Sequence, residues 1–83
     1  MHKYFRFPEG AVKSGTPVSI YLKIERRFAN SPYFCTENEL LPMKWVSFEK
    51  GFDIYKTVFT PETGLYFFTF KTAFAELAGG QIT

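Results

Sequence analysis

Carboxylate pairs are the first groups in this sequence whose spacing could support catalysis. Two carboxyl groups that face each other at a set separation can hydrolyse a glycosidic bond. Glu37 and Glu39 would share one face of an extended segment, but they lie in a polar loop, so we expect solvated loop charges. The other acidic residues are Glu9, Glu25, Glu49, Asp53, Glu62 and Glu76.

Histidine and cysteine chemistry is limited to one residue of each kind. His2 lies near the chain end, and Cys35 is the single cysteine. Catalytic triads, histidine metal sites and histidine general bases therefore lack the residues they need. A lone cysteine is more often a small buried hydrophobic residue than a nucleophile. We predict no catalytic residue, no metal site and no cofactor.

Aromatic side chains are the remaining candidates for a function. The 83 residues include 11 Phe, 5 Tyr and 1 Trp, which together make up 20% of the chain. Each ring can bury about 150–250 Å² in a core. A ring left exposed on a rigid sheet can instead stack on the flat C–H face of a sugar. The composition therefore favours either a compact aromatic core or a binding face.

Four rings are candidates for stacking on a carbohydrate. Tyr21 lies on the polar side of an alternating strand, and Trp45 has the largest ring and basic neighbours. Tyr33 and Tyr55 are weaker candidates. The alternative for each is packing in the core or in a hairpin, with the phenol or indole N–H bonded to the backbone.

The elements that must position these rings are β-strands. Val18, Ile20, Leu22 and Ile24 alternate with polar residues, which predicts a half-buried strand. Six or seven short strands at spacings of about 8–12 residues indicate an all-β sandwich or small barrel. The other predicted strands cover residues 33–36, 43–48, 52–60, 65–72 and 81–83.

Residues 60–64 form the clearest predicted turn, since Pro61 presets φ and Gly64 permits a left-handed residue. We therefore predict a hairpin between residues 52–60 and 65–72. Residues 73–78 are predicted to form one helical turn closed by Gly79.

The second arm of this predicted hairpin is apolar on both faces. Tyr66, Phe68 and Phe70 point one way, and Leu65 and Phe67 point the other way. Such a strand is central or is covered from outside. We expect Leu65 and Phe67 to pack against another domain of the same chain, as inter-domain interfaces do.

Charge and hydropathy narrow the class of protein further. Ten basic and eight acidic residues give a net charge of +2, which is too small an excess to argue for nucleic acid by itself. The sequence has no apolar leader and no run of about 18 apolar residues. We expect one domain over residues 1–83, in the cytoplasm, with no membrane and no nucleic acid as partner.

Residues 44–55 resemble the cold-shock signature K-W-F-N-x-x-K-G-F-G-F-I. The resemblance implies a single-stranded nucleic-acid-binding barrel as an alternative. Asp53 replaces a glycine of that signature, and the 40 residues after Met43 are too few to complete the barrel. The positions that match in type are Lys44, Trp45, Lys50, Gly51, Phe52 and Ile54.

A second resemblance spans most of the chain. Residues 5–18, FRFPEGAVKSGTPV, are similar to the opening Y-R-x-P-F-G-A-V-x-x-G-T-x-V of an N-terminal domain of bacterial alpha-amylase-superfamily glycosidases. Met43 and residues 64–70, GLYFFTF, resemble later parts of that domain, and residues 81–83 its last strand. Glu9 stands where that family usually has an aromatic residue.

This second resemblance implies an immunoglobulin-like antiparallel β-sandwich of about seven short strands, preceding a catalytic barrel. The chain would then be a non-catalytic N-terminal accessory domain of a starch- or maltodextrin-active glycoside hydrolase. Its expected partners are an α-glucan and the catalytic domain of the same chain. A purely structural or interaction domain is the alternative.

Overall fold

A computed structural model describes residues 2–26, 31–62, 64–73 and 75–82. Within these residues the secondary structure is β-strand, joined by turns and loops. The strands are β1 (His2–Phe7), β2 (Val18–Glu25), β3 (Tyr33–Cys35), β4 (Leu40–Pro42), β5 (Lys44–Glu49), β6 (Phe52–Phe59), β7 (Tyr66–Phe67), β8 (Thr69–Lys71), β9 (Glu76–Leu77) and β10 (Gln81–Ile82).

The strands form two four-stranded antiparallel sheets and one two-stranded pair. The first sheet has the order β1-β2-β6-β5, and the second has the order β4-β3-β8-β9. The short strands β7 and β10 pair with each other. The prediction of an all-β antiparallel fold is therefore confirmed, with ten short strands in the described residues where about seven were predicted.

Alternation along β2 builds one half of the core. Val18, Ile20, Leu22 and Ile24 are buried, while the residues between them are half-buried on the other face. Phe34 of the second sheet belongs to the same core. Its ring centroid lies 5.3 Å from that of Phe59, 5.1 Å from that of Phe68 and 6.1 Å from that of Phe70. The other core residues include Met43, Phe59, Phe68, Phe70 and Ile82.

The N-terminal strand β1 was not predicted from the sequence. Residues 2–7 pair along their whole length with β2, and His2 lies opposite Ile24. The ring nitrogen Nε2 of His2 is 2.9 Å from the carbonyl oxygen of Ala78. The beginning of the chain is thus joined to residues close to its end.

The predicted hairpin between residues 52–60 and 65–72 is wrong. β6 pairs with β2 and β5, so both of its edges are already occupied, and β8 pairs with β3 and β9. The strand that follows the predicted turn is β7, which pairs with β10 and not with β6. The amide of Gly15 donates to the carbonyl of Pro61 at 2.8 Å, so Pro61 is held against the loop that contains Gly15.

The helical turn predicted for residues 73–78 is also wrong in the described residues, where Glu76–Leu77 is the strand β9. Gly79 closes no helix. Its backbone lies so near Phe68 that an added Cβ would collide with the Phe68 carbonyl oxygen. The hydroxyl of Tyr4 donates to the Gly79 carbonyl at 3.1 Å. The absence of a side chain at Gly79 therefore allows its backbone to lie close to the backbone of Phe68.

Among the described residues, the structure contains no helix with the length and apolar character needed to cross a membrane.

Candidate functional site

Trp45 and Tyr55 lie directly opposite each other on β5 and β6. Tyr55 also lies opposite Leu22, whose side chain is fully buried, so this row of residues points toward the core. Strand β5 forms an edge of the first sheet, and Trp45 is still 55% exposed. The indole ring therefore lies at the margin of the sandwich, partly open to solvent.

A β-bulge on β5 sets the direction of these side chains. The pairing register shifts between Trp45 and Ser47, so that Ser47 lies opposite Ile54. An extra residue in one strand re-aims the side chains that follow it. Phe48 then lies opposite Asp53, on the same side of the sheet as Trp45.

Three of the four predicted stacking rings meet in one cleft. Tyr33 of β3 comes from the second sheet, and Trp45 and Tyr55 come from the first. The three side chains line a cleft of about 460 Å³. Its other walls are Ser31, Pro32, Pro42 and Met43.

The cleft is fixed by the backbone as well as by the rings. The amide of Met43 donates to the carbonyl of Pro32 at 3.0 Å, which joins two of the cleft walls. Met43 itself is buried in the core. The core therefore holds in place the elements that carry the rings. Binding of a ligand then requires little further ordering of the cleft residues.

Asp53 anchors the indole of Trp45. The indole Nε1 donates to the Oδ1 atom of Asp53 at 2.8 Å. Arg26 binds the same carboxylate, with its Nη2 at 2.8 Å from Oδ1 and its Nε at 3.2 Å from Oδ2. Asp53 is 4% exposed, whereas the Arg26 side chain is 59% exposed. The buried carboxylate therefore has hydrogen-bonding partners that reach it from the surface, and a buried charge is stable only with such partners.

The Arg26 guanidinium links this network to a further ring, because it lies 4.0 Å from the centroid of Phe48. A cation over an aromatic face is attracted by the ring quadrupole. Arg26 thus contacts both the anchor of Trp45 and the ring that follows the bulge.

The pKa values around the cleft follow from these contacts. Hydrogen bonding from Arg26, supported by Trp45, lowers the pKa of Asp53 in spite of its burial. Burial, and then the charge of Asp53, raises the pKa of Tyr55. Near neutral pH the Asp53 carboxylate that anchors Trp45 is therefore charged and paired, and the Tyr55 phenol that lines the cleft is neutral.

Tyr21, the fourth predicted ring, lies on the outer face of the first sheet and outside the cleft. Its ring stacks on Phe5, with centroids 4.9 Å apart and planes at 10°. Phe5 therefore covers one side of Tyr21. Its role in carbohydrate stacking stays a prediction, and it lies apart from the other three rings.

Leu65 and Phe67 are exposed, with 51% and 66% of their surfaces accessible. Both line a recess of about 250 Å³ that also contains Glu37, Asn38 and Tyr66. Their neighbours Phe68 and Phe70 are buried, so the two faces of this segment differ as the sequence indicates. Packing of Leu65 and Phe67 on another domain stays a prediction.

The residues considered first for catalysis do not form a site among the described residues. Glu37 and Glu39 are exposed loop residues. Cys35 is buried, and burial raises the pKa of its thiol. No group of three His, Cys, Asp or Glu side chains in the described part of the chain could hold a metal ion.

Sequence reasoning missed the anchoring pair Arg26 and Asp53. Asp53 carried a signal, since it is a charged residue within a strand of β-branched and aromatic residues. A charge in such a position is stable only with partners. Its partners, Arg26 and Trp45, come from other strands or strand ends, so their spacing along the chain gave no indication of the contact.

The chain matches no family model, no curated protein and no solved structure. Its function is therefore inferred from the residues and the cleft described above.

Proposed function

We propose that this domain is a non-catalytic accessory module that binds α-glucan for a starch- or maltodextrin-active glycoside hydrolase. The observation that carries the proposal is the convergence of Trp45, Tyr55 and Tyr33 on one cleft. These rings are far apart in the sequence, and two different sheets bring them together.

The chemistry of the cleft suits a neutral sugar chain. Glucose units present flat C–H faces, on which the exposed surface of the Trp45 indole can stack. The indole N–H already donates a hydrogen bond to Asp53. A sugar that stacks on the ring therefore does not leave this N–H buried without a partner. The phenols of Tyr55 and Tyr33 add amphipathic surface whose hydroxyls can bond to sugar hydroxyls.

The size of the cleft agrees with this use. A volume of about 460 Å³ falls within the range of roughly 300–1,000 Å³ that small-ligand sites occupy. Arg26 and Asp53 form an ion pair with 2.8 Å between Nη2 and Oδ1. The pair has no net charge, which suits an uncharged ligand.

The link to a hydrolase rests on the resemblance of residues 5–18 and 64–70 to an accessory domain of alpha-amylase-superfamily enzymes. Within the same proposal, the exposed pair Leu65 and Phe67 packs on the catalytic domain. The immunoglobulin-like topology belongs to this proposal as well.

A fluorescence titration tests glucan binding, because Trp45 is the single tryptophan of the chain. Maltoheptaose should change the emission of Trp45 in a saturable way, and cellohexaose should do so much less. A flat response to maltoheptaose, measured at millimolar concentrations, would overturn the proposal. The control variant is Leu40→Ala, since Leu40 is 57% exposed and lies outside the cleft. Its Trp45 emission should respond to maltoheptaose as that of the wild type does.

A purely structural or interaction domain is the second candidate, favoured by the exposure of Leu65 and Phe67. A double substitution to serine should leave the unfolding temperature of this domain unchanged. If the chain is joined to a hydrolase domain, the same double variant should unfold at a lower temperature. Equal unfolding temperatures in that longer protein would exclude this interface.

A further inference from the structure

The outer face of the first sheet carries a second aromatic cluster that the glucan cleft does not use. Phe5 and Tyr21 are stacked, and Phe7 stands at 75° and 78° to their planes, with centroids 6.1 Å and 6.2 Å away. Phe5 is 40% exposed and Phe7 is 58% exposed. We call these three residues the outer aromatic cluster.

The pairing register shows that this cluster and several lysines share one face. Side chains directly opposite each other on neighbouring strands point to the same side of a sheet. Tyr21 lies opposite Phe5 on one side and Lys56 on the other, and Lys56 lies opposite Lys44. One row across all four strands therefore has two rings followed by two ammonium groups.

A second row adds two more cations. Lys3 lies opposite Lys23, two residues along each strand from Phe5 and Tyr21. The Nζ atom of Lys56 is 5.6 Å from the centroid of the Tyr21 ring. Cations therefore lie beside the rings on the outer face, within reach of one extended ligand.

Acidic side chains of this sheet lie at the far end of the same face. Glu25 and Glu49 both lie opposite Phe52, at one end of their strands. Asp53, the remaining acidic residue of these four strands, points to the other side, toward Trp45. The part of the face around the outer aromatic cluster therefore has a positive charge.

We propose that this face binds single-stranded nucleic acid. Aromatic rings stack on bases of any sequence, and lysines neutralise phosphates along the strand. Phe5 and Phe7 keep 40% and 58% of their surfaces exposed, so two planar rings on this face are open to stacking with bases.

The net charge of +2 gave the opposite expectation for nucleic acid. The fold changes the basis of that expectation, because it places Lys3, Lys23, Lys44 and Lys56 on one face although they are far apart in the chain. What attracts phosphates is the local density of cations, and the overall charge does not report it.

Fluorescence anisotropy with a labelled 15-nucleotide oligo-dT, at low salt, tests this proposal. Binding should weaken as salt rises. Phe7→Ala should lower the affinity about tenfold, in line with the loss of one base-stacking ring. Leu40→Ala is the matched control, because Leu40 is 57% exposed and belongs to the second sheet.

Two further variants keep the test decisive. Phe7→Tyr retains a ring and should retain the affinity, which separates stacking from a folding defect. Lys56→Gln should weaken binding and reduce its salt dependence.

No binding at low salt would overturn the proposal. Equal binding by wild type and Phe7→Ala would overturn it as well. Poly-glutamate has no bases to stack on the rings, so at an equal concentration of charges it should bind more weakly than the oligonucleotide. Tighter binding of poly-glutamate would overturn the proposal and assign the face to an acidic protein.

Discussion

The indole Nε1 of Trp45 donates a hydrogen bond to the carboxylate of Asp53 at 2.8 Å. The two residues lie on neighbouring strands, and Arg26 binds the same carboxylate. A large, half-exposed ring is thus held in one orientation by a buried charge. The ring is therefore oriented before any ligand binds. Because it is already held, it loses little rotational freedom on binding.

Replacing Asp53 with Asn tests this anchoring. The amide keeps the shape but loses the charge, so Arg26 and Trp45 are held less firmly. An unfixed ring should cost about 0.5–1.5 kcal/mol on binding, or roughly two- to tenfold in affinity for maltoheptaose. Calorimetry measures the affinity, and the Trp45 emission spectrum should shift without any sugar. An unchanged affinity and spectrum would show that Asp53 does not position the ring.

The pH dependence of stability should depend on the same carboxylate. The pKa of Asp53 in the folded protein lies below its ordinary value of 3.8 because Arg26 and Trp45 bond to the charged form. The unfolded chain therefore binds the proton first, and the stabilisation is present above pH 3.8 and lost as pH falls through the folded pKa. The unfolding temperatures of wild type and Asp53→Asn should therefore become equal in this acidic range. A constant difference down to pH 2 would contradict the assignment.

The aromatic core should respond strongly to the loss of Phe34. This ring is fully buried, and its centroid lies 5.1 Å from Phe68 and 5.3 Å from Phe59. Phe34→Ala should lower the free energy of unfolding by about 3–5 kcal/mol, measured by urea denaturation. The exposed control Leu40→Ala should change it by less than about 0.5 kcal/mol. Similar values for the two variants would mean that Phe34 is not a core residue.

Gly79 should not tolerate a side chain. An added Cβ would collide with the carbonyl of Phe68, so Gly79→Ala must displace the backbone that joins the two ends of the chain. We expect a loss of about 1–3 kcal/mol, typical of overpacking. Substitution of the exposed neighbour Ala78 by Ser should have little effect. Native stability of Gly79→Ala in chemical denaturation would rule out the close approach.

Local sequence patterns predicted the strands well where one face is buried. The alternation of Val18, Ile20, Leu22 and Ile24 specified both the strand and its core face, since a half-buried strand has a period of two. The opposite faces of Phe67 and Phe68 followed from the same rule.

Pairing between strands could not be predicted in this way. The turn at Pro61 and Gly64 favours a hairpin locally, yet the strand before it is already paired on both edges. Strands that follow each other in the chain are often partners in a sheet. Here β2 and β5 occupy both edges of β6, so the strand after the turn cannot pair with it. For the same reason the contact of Trp45 with Asp53 and Arg26 was not predicted, and the cleft became visible only from the fold.

The central claim is that α-glucan binds in the cleft between Trp45, Tyr55 and Tyr33. The most direct test is a titration of ¹⁵N-labelled protein with maltoheptaose, followed by the single indole N–H signal of Trp45 and the backbone amides. The account predicts saturable shifts at these three residues and at Met43, abolished in Trp45→Ala and retained in Leu40→Ala. Absence of shifts, or shifts confined to the outer aromatic cluster around Tyr21, would contradict it.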